Sequence, residues 1–288
     1  MITIFRHAVA RSWAQILVWG LSLAVLGAFL VPFYESTGER QAQYTQLLQG
    51  YPPELLSFFY SGGINMMFTP AGYMDLGFFS YMPLIVGIYA LLACSGLLAG
   101  DEENGTLDLV LAHPVSRTAL FFGRLLAFVV ATIVIFVITW AGFVIAINWF
   151  RLPIGWDQMA LPFLSLLAAM LFFGTLALLL SMVLPSRRAA AMVAGILLVA
   201  SYFVTSLARV NKSLETVARF SPLNYYQGGM AIEGLNGEWF LGLVACSLVF
   251  TILAWWCFKR RDIRVGGEGS WRLSWLPSPA RLRQSKAS

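Results

Sequence analysis

Residues that could bind a charged partner are concentrated in one stretch of the chain, positions 101–117. Four acidic side chains occur there: Asp101, Glu102, Glu103 and Asp108. Carboxylates this close together attract lysines and arginines of another protein, whereas anionic lipid headgroups repel them. The stretch therefore favours docking of a basic protein surface. The alternative is a helix that only lies on the headgroups.

The same stretch has the signals of a short helix held between two longer ones. Asn104-Gly105 is typical of a turn that ends a helix, and Thr106 can cap the next one. An apolar stripe at positions i, i+3 and i+4 follows: Leu107, Val110 and Leu111. Pro114 ends this helix, and Ser116 can cap the helix after it. We therefore predict a short amphipathic helix, 106–112, joined tightly to both neighbours.

No other residues form a pattern that could catalyse a reaction. The only two histidines are His7 and His113. The three cysteines, Cys94, Cys246 and Cys257, lie in apolar runs at irregular spacing. Neither set matches a metal-ligand, disulfide or nucleophile pattern. We therefore predict no catalytic residue, no metal and no cofactor site in this chain.

The composition predicts a protein that lies in lipid. Of 288 residues, 59% are hydrophobic and 11% are charged, against about 25% charged in a soluble domain. The mean hydropathy is +0.74. So few charges cannot cover a water-exposed surface. The net charge of +5 is scattered over loops and a tail, which excludes nucleic acid as a partner and favours anionic lipid headgroups.

Six runs are long and apolar enough to cross a bilayer, which takes roughly 20 residues each. They are residues 13–33, 76–100, 119–147, 160–184, 189–208 and 239–258. We predict an all-α integral membrane protein with six transmembrane helices in one domain, 1–260. Residues 261–288 are then a flexible, basic cytoplasmic tail.

The distribution of lysine and arginine predicts the orientation. With the N-terminus in the cytoplasm, 14 of the 19 lysines and arginines lie inside. Because cytoplasmic loops carry the excess of positive charge, we place both termini there. The outer segment 209–238 then contains Ser221-Pro222, a cap followed by proline at the first helical position. This segment is either a set of short helices dipping into the outer leaflet, or an ordinary surface loop.

These motifs resemble those of a known family. The run from Glu102 to Arg117, with Gly-Thr-Leu, Leu-Ala and Pro-Val-Ser-Arg, is similar to the membrane subunits of ABC type 2 exporters. Gly-Arg-Leu-Leu-Ala at 123–127 and Phe-Ser-Pro-Leu-Asn at 220–224 also resemble that family. The likeness extends over nearly the whole chain, including the span number and loop sizes.

The resemblance implies a separate ATPase subunit, in two copies, that docks on 101–117 and binds ATP and Mg. The chain itself has no Gly-x-x-x-x-Gly-Lys-Ser/Thr loop. The implied coupling residues are Glu102, Glu103, Thr106, Leu107, Leu111, Pro114 and Arg117. An amphipathic helix at about 2–12 would lie on the inner surface beside them, through Phe5, Arg6 and Arg11. Ser221, Pro222 and Asn224 would belong to an outer re-entrant segment.

The resemblance also implies a second permease subunit, identical or homologous, in the plasma membrane of a bacterium. Gly96-x-x-x-Gly100 and Ala191-x-x-x-Gly195 permit close helix contacts, which we assign to one subunit rather than two. Asp75, Arg124 and Arg151 fall near span ends, where they can reach water. Because no charge falls at a midplane, we expect an amphipathic or hydrophobic substrate rather than an ion.

Two other functions agree with the same sequence. The chain could be a mechanotransmitting or regulatory subunit that moves a periplasmic partner, although the outer loop 35–75 is modest for that role. It could also be an ATP-independent membrane carrier or scaffold. An ATPase that co-purifies with the chain would separate the exporter from the carrier.

Overall fold

The computed structural model of the protein describes residues 2–34, 40–50, 52, 66–103 and 116–260. All regular secondary structure in these residues is helical. The α-helices are α1 (Ile2–Leu30), α2 (Gln41–Gln49), α3 (Pro70–Met74), α4 (Met82–Ser95), α5 (Ala99–Glu103), α6 (Arg117–Trp149), α7 (Ala160–Val183), α8 (Arg187–Val210), α9 (Glu215–Ala218) and α10 (Gly237–Arg260). A π-helix (Asp75–Phe79) and the 3-10 helices Lys212–Leu214, Pro222–Tyr225 and Gly228–Glu233 complete the set.

Among the described residues, five helices are long and apolar enough to cross a membrane: α1, α6, α7, α8 and α10. A sixth candidate consists of α3 with its π-helix and α4, bent by 43° between them. Each candidate overlaps one of the six predicted runs. The prediction of an all-helical membrane protein is confirmed, and the span count is five, or six if the bent pair is one span.

The bundle has two ends. We call the end where α1 begins the N-terminal face, and the end where α1 finishes and α10 begins the far face. Ile4, Arg124 and Arg187 lie around one cavity at the N-terminal face. The far face holds the carbonyl of Leu30, which accepts a hydrogen bond from the Tyr73 hydroxyl at 3.1 Å, and the start of α10. The predicted tail, 261–288, lies outside the described residues.

The first helix differs from the expectation of a separate surface helix. α1 is continuous from Ile2 to Leu30, so residues 2–12 are the first turns of the span. No glycine or proline interrupts them, and the Ser12 hydroxyl bonds back to the Ala8 carbonyl at 3.1 Å. A helix of 29 residues is about 43 Å long, longer than the roughly 30 Å hydrocarbon core. One end of α1 therefore extends beyond the core.

The second span begins earlier than predicted and is broken. α3 starts at Pro70 because Thr69 caps it, accepting a hydrogen bond from the Gly72 N–H at 3.1 Å. The π-helix follows directly, and Pro83 then lies in the first turn of α4. Proline has no N–H and crowds the preceding turn. A π-helix beside a proline is a known cause of sharp helix bends.

The core lies around α7, which is more enclosed than the other four long helices: 61% of its most apolar stretch is buried, against 22% for α10. Phe78 and Phe79 of the π-helix meet Phe143 of α6 and Phe163 of α7. The ring centroids are 4.9 Å apart for Phe78–Phe143 and 5.2 Å for Phe79–Phe163. Since lipid tails are as apolar as these rings, close packing rather than exclusion of water holds the helices here.

Candidate functional site

The predicted docking loop is described only at its two ends. Thr106, Leu107, Leu111 and Pro114 lie within residues 104–115, outside the described residues. The short helix 106–112 and the docking of a partner on it therefore remain predictions. Glu102 lies in α5, and Arg117 is the partly exposed first residue of α6.

The Ser116 side chain caps α6, as predicted. Its hydroxyl accepts a hydrogen bond from the Ala119 N–H at 3.2 Å. The same arrangement begins α8, where Ser186 accepts from the Ala189 N–H at 3.1 Å. Each cap satisfies an N–H group that the helix itself leaves unpaired. Both helices thus have a defined first turn at the N-terminal face.

Glu103 joins the second span to α8. Its carboxylate accepts a hydrogen bond from the Arg187 backbone N–H at 2.8 Å. Because the first N–H groups of a helix carry partial positive charge, an acidic side chain is favourable there. One end of the predicted docking loop is therefore attached to the first turn of another span, a contact that the sequence did not indicate.

Two arginines lie against the segment in which the second span ends. A guanidinium N–H of Arg124 donates to the Leu97 carbonyl at 2.5 Å. A Cβ atom placed on Gly96 or Gly100 would lie 3.4 Å from the Arg187 guanidinium. Gly96-x-x-x-Gly100, which we expected to receive a neighbouring helix, thus faces an arginine side chain. Arg124 binds a backbone carbonyl and stays partly exposed.

The N-terminal residues of α1 are at the same face. Phe5 is half-buried, whereas Arg6 and Arg11 are exposed. Arg11 lines the same cavity as Arg124 and Arg187, and Arg6 does not. We predicted the same surroundings for the two arginines from the sequence, but the structure gives them different ones.

At the far face, Asp75 is buried with 6% of its surface exposed. The expectation that it reaches water from a span end is wrong. Its carboxylate accepts a hydrogen bond from the Gly229 N–H at 2.7 Å and one from the Ser80 hydroxyl at 3.2 Å. The earlier start of the second span explains the difference, because Asp75 then lies within the bent pair rather than at its end.

Gly229 has no room for a side chain. A Cβ atom there would lie 2.5 Å from the Asp75 nitrogen and 2.6 Å from its Cα. Backbone meets backbone at this point, which is a contact that only glycine permits. The segment between α8 and α10 is thereby held directly against the π-helix.

Ser221 is buried and does not cap the following helix with its side chain, contrary to the prediction. Its hydroxyl lies 2.6 Å from the Ser201 hydroxyl and 2.8 Å from that of Thr205, and it donates to the Ser201 carbonyl at 3.0 Å. These partners belong to α8. The Ser-Pro pair therefore attaches the far-face segment to α8, while Pro222 takes the expected first helical position.

Tyr226 makes another contact between this segment and the second span. Its hydroxyl donates to the Phe79 carbonyl at 2.9 Å. Burial raises the pKa of Tyr226 well above its usual value, and the nearby Asp75 charge acts in the same direction. The phenol thus stays protonated and remains a donor. The Gln227 N–H adds a bond to the Ser165 hydroxyl of α7 at 3.0 Å.

A cavity of about 400 Å³ opens beside these contacts. Its lining includes Asp75, Arg209, Asn224, Tyr226 and Trp239. Charged, amide and aromatic groups thus surround one space at the far face. The arrangement can hydrogen-bond a polar group and pack against an apolar one.

No group of three or more His, Cys, Asp or Glu side chains in the described parts of the chain could hold a metal ion. Cys94 is buried, Cys257 is partly buried and Cys246 is exposed, each as a free thiol.

Sequence reasoning missed Asp75, Arg187 and Gly229 as contact residues. The Gly228-Gly229 pair was one available signal, since adjacent glycines often mark a close backbone approach. Ser201 and Thr205 of α8 gave no comparable signal, because their partner, Ser221, lies in another segment.

A bundle of apolar helices, broken in one span and tied at both faces by polar contacts, defines a multi-pass membrane protein. The chain belongs to the ABC-2 transporter family: the model of the "ABC-2 family transporter protein" matches residues 2–263. This match confirms the resemblance seen in the docking-loop motif. Members of the family are membrane transport components rather than enzymes, and they typically work with an ATPase partner. No curated protein matches the chain.

Proposed function

We propose that this chain is the membrane subunit of an ATP-driven exporter, and that it transmits the motion of a separate ATPase to a transport path. Two ATPase copies would bind ATP and Mg, and a second permease subunit, identical or homologous, would complete the path. The observation that carries the proposal is that the second span is fastened at both of its ends. It thus connects the predicted docking loop with the far-face segment.

At the N-terminal face, the loop 104–115 lies between α5 and α6. Glu103 at the end of α5 binds the first turn of α8 at 2.8 Å. Arg124 of α6 binds the carbonyl of Leu97 at 2.5 Å. A push on the loop would therefore act on the second span, α6 and α8 together.

At the far face, the same span holds the segment between α8 and α10. Asp75 accepts the bond from Gly229, and the carbonyl of Phe79 accepts that of Tyr226. Movement of the second span would pull directly on this segment and on the cavity beside it. The bend between the π-helix and α4 is the natural place for that movement to be absorbed.

In this proposal the N-terminal face is cytoplasmic and the membrane is the plasma membrane of a bacterium. The excess of lysine and arginine at that face supports the orientation. The substrate is amphipathic or hydrophobic. Phe and Thr side chains fill the spans. Asp75 is the one buried carboxylate among the described residues. It already accepts hydrogen bonds from two donors within the protein.

The experiment compares charge reversals at the two faces. The tagged chain is purified from membranes of its own source, and the ATP hydrolysis and ATPase subunits that co-purify are measured. Glu102→Lys should reduce both by about tenfold, which corresponds to roughly 1.4 kcal/mol of docking free energy. Glu238→Lys, an exposed acid on the far face, is the matched control and should change neither.

Equal ATPase recovery from both variants would show that the acidic stretch does not dock the partner. Recovery of no ATPase from the unaltered chain would reject the exporter and favour the ATP-independent carrier.

A further inference from the structure

A second cavity, of about 610 Å³, opens at the N-terminal face. It lies between α1, the end of the second span and the first turns of α6 and α8. Its basic lining residues are His7, Arg11, Arg124 and Arg187. Neither the proposed docking loop nor the far-face cavity accounts for this cluster.

Arg11 and Arg187 both supply positive charge to this cavity. The Glu103 carboxylate bonds to the Arg187 backbone N–H rather than to the guanidinium. Among the side chains that the structure describes, no carboxylate forms an ion pair with Arg11 or Arg187. Like charges brought together in this way repel each other unless an anion joins them.

Two contacts fix the position of Arg187. Its guanidinium lies against Gly96 and Gly100, where an added Cβ atom would be 3.4 Å away. Its backbone is held by Glu103. Arg11 on α1 lines the same cavity. Two guanidinium groups from different helices thus face one space.

The remaining lining is apolar. It includes Ile4, Ala8, Leu92, Leu97 and Leu120. A cavity with arginines and an apolar wall fits a molecule with an anionic head and a hydrocarbon chain. Basic pockets between helices at the cytoplasmic side are a known site for acidic lipid headgroups, and guanidinium matches phosphate oxygens with paired N–H groups.

We propose that this cavity binds the phosphate head group of an anionic phospholipid, with Arg11 and Arg187 as its ligands. The lipid would connect α1 to the first turn of α8. The proposal concerns the chain alone and does not depend on an ATPase partner.

The chain offers matched controls for both ligands. Arg6 is on α1 with Arg11, and Arg188 follows Arg187, yet neither lines the cavity. Arg11→Gln with Arg187→Gln therefore removes the same charge from the same two helix ends as Arg6→Gln with Arg188→Gln. A general attraction to acidic membranes would respond equally to the two pairs.

The test uses the purified full-length chain, delipidated in neutral detergent and titrated with phosphatidylglycerol or phosphatidylcholine. Bound lipid is counted by native mass spectrometry. The unaltered chain and the Arg6/Arg188 pair should prefer phosphatidylglycerol. The Arg11/Arg187 pair should lose about 25-fold in that preference, at roughly fivefold for each basic residue near the surface. Thermal unfolding in phosphatidylcholine verifies that each variant is folded.

Three outcomes would overturn the proposal. One is an equal loss in both pairs, which would mean non-specific attraction. The second is no preference for phosphatidylglycerol in the unaltered chain. The third is displacement of the lipid by millimolar inorganic phosphate, which would assign the site to a free phosphate compound instead. A variant pair that unfolds is replaced by Arg11→Lys with Arg187→Lys, which keeps the charge and should retain part of the preference.

Discussion

The Asp75 carboxylate and the Gly229 backbone N–H form a 2.7 Å hydrogen bond between positions 154 residues apart. It joins the π-helix of the second span to the last 3-10 helix before α10. The carboxylate is buried and the glycine has no space for a side chain. Together they fasten the far-face segment to the part of the second span that bends.

Gly229→Ala should destabilise the protein by about 1–3 kcal/mol, the usual cost of overpacking. The new Cβ atom would lie 2.5 Å from the Asp75 nitrogen, so backbone would have to move. Thermal unfolding in detergent measures the effect. Gly242→Ala is the control, because nothing lies within 4 Å of its Cβ position. Equal stability of the two variants would contradict the close contact.

Asp75→Asn should be tolerated better than Asp75→Ala. Asparagine keeps an oxygen for the Gly229 N–H and offers its amide to the Ser80 hydroxyl. Alanine leaves the buried N–H unpaired, at a cost of about 1–3 kcal/mol. The free energy of unfolding of the two variants decides between them. If asparagine is as damaging as alanine, the negative charge itself is required at this position.

Ser221→Ala should cost about 1–3 kcal/mol, because it removes the buried hydrogen bonds that its hydroxyl makes with α8. Ser201 and Thr205 lie 2.6 and 2.8 Å from the Ser221 hydroxyl. Hydrogen exchange should increase at residues 221–226, since their attachment to α8 is loosened. Ser213→Ala, in the same segment but exposed, should leave both measurements unchanged. A loss of stability in that control would point to the segment's helices rather than to the bonds.

Gly142→Ala should destabilise the contact between α1 and α6. The added Cβ atom would lie 2.7 Å from the Ala24 Cβ and 3.1 Å from the Ala24 backbone. Adding Ala24→Gly removes the nearer atom and should recover part of the loss, as expected for two residues in direct contact. Thermal unfolding of both single variants and the pair gives the coupling. Purely additive effects would show that the helices do not touch there.

Much of the fold was predictable because its signals are local. Apolar runs identify the spans, whose observed bounds differ from the predicted ones mostly by a few residues at each end. The Ser116 cap was predicted for the same reason, since a cap needs only the next three residues. The Gly-Thr-Leu motif and its surroundings indicated the family, which the match to residues 2–263 confirms.

The tertiary structure alone decided which polar residues meet. The sequence determined that the chain is apolar, helical and built to cross a membrane, because these properties depend on neighbouring residues. It could not place Asp75 against Gly229, turn Ser221 toward α8, or distinguish Arg11 from Arg6. Those contacts join residues far apart in the chain, and only the packing of whole helices determines their distances.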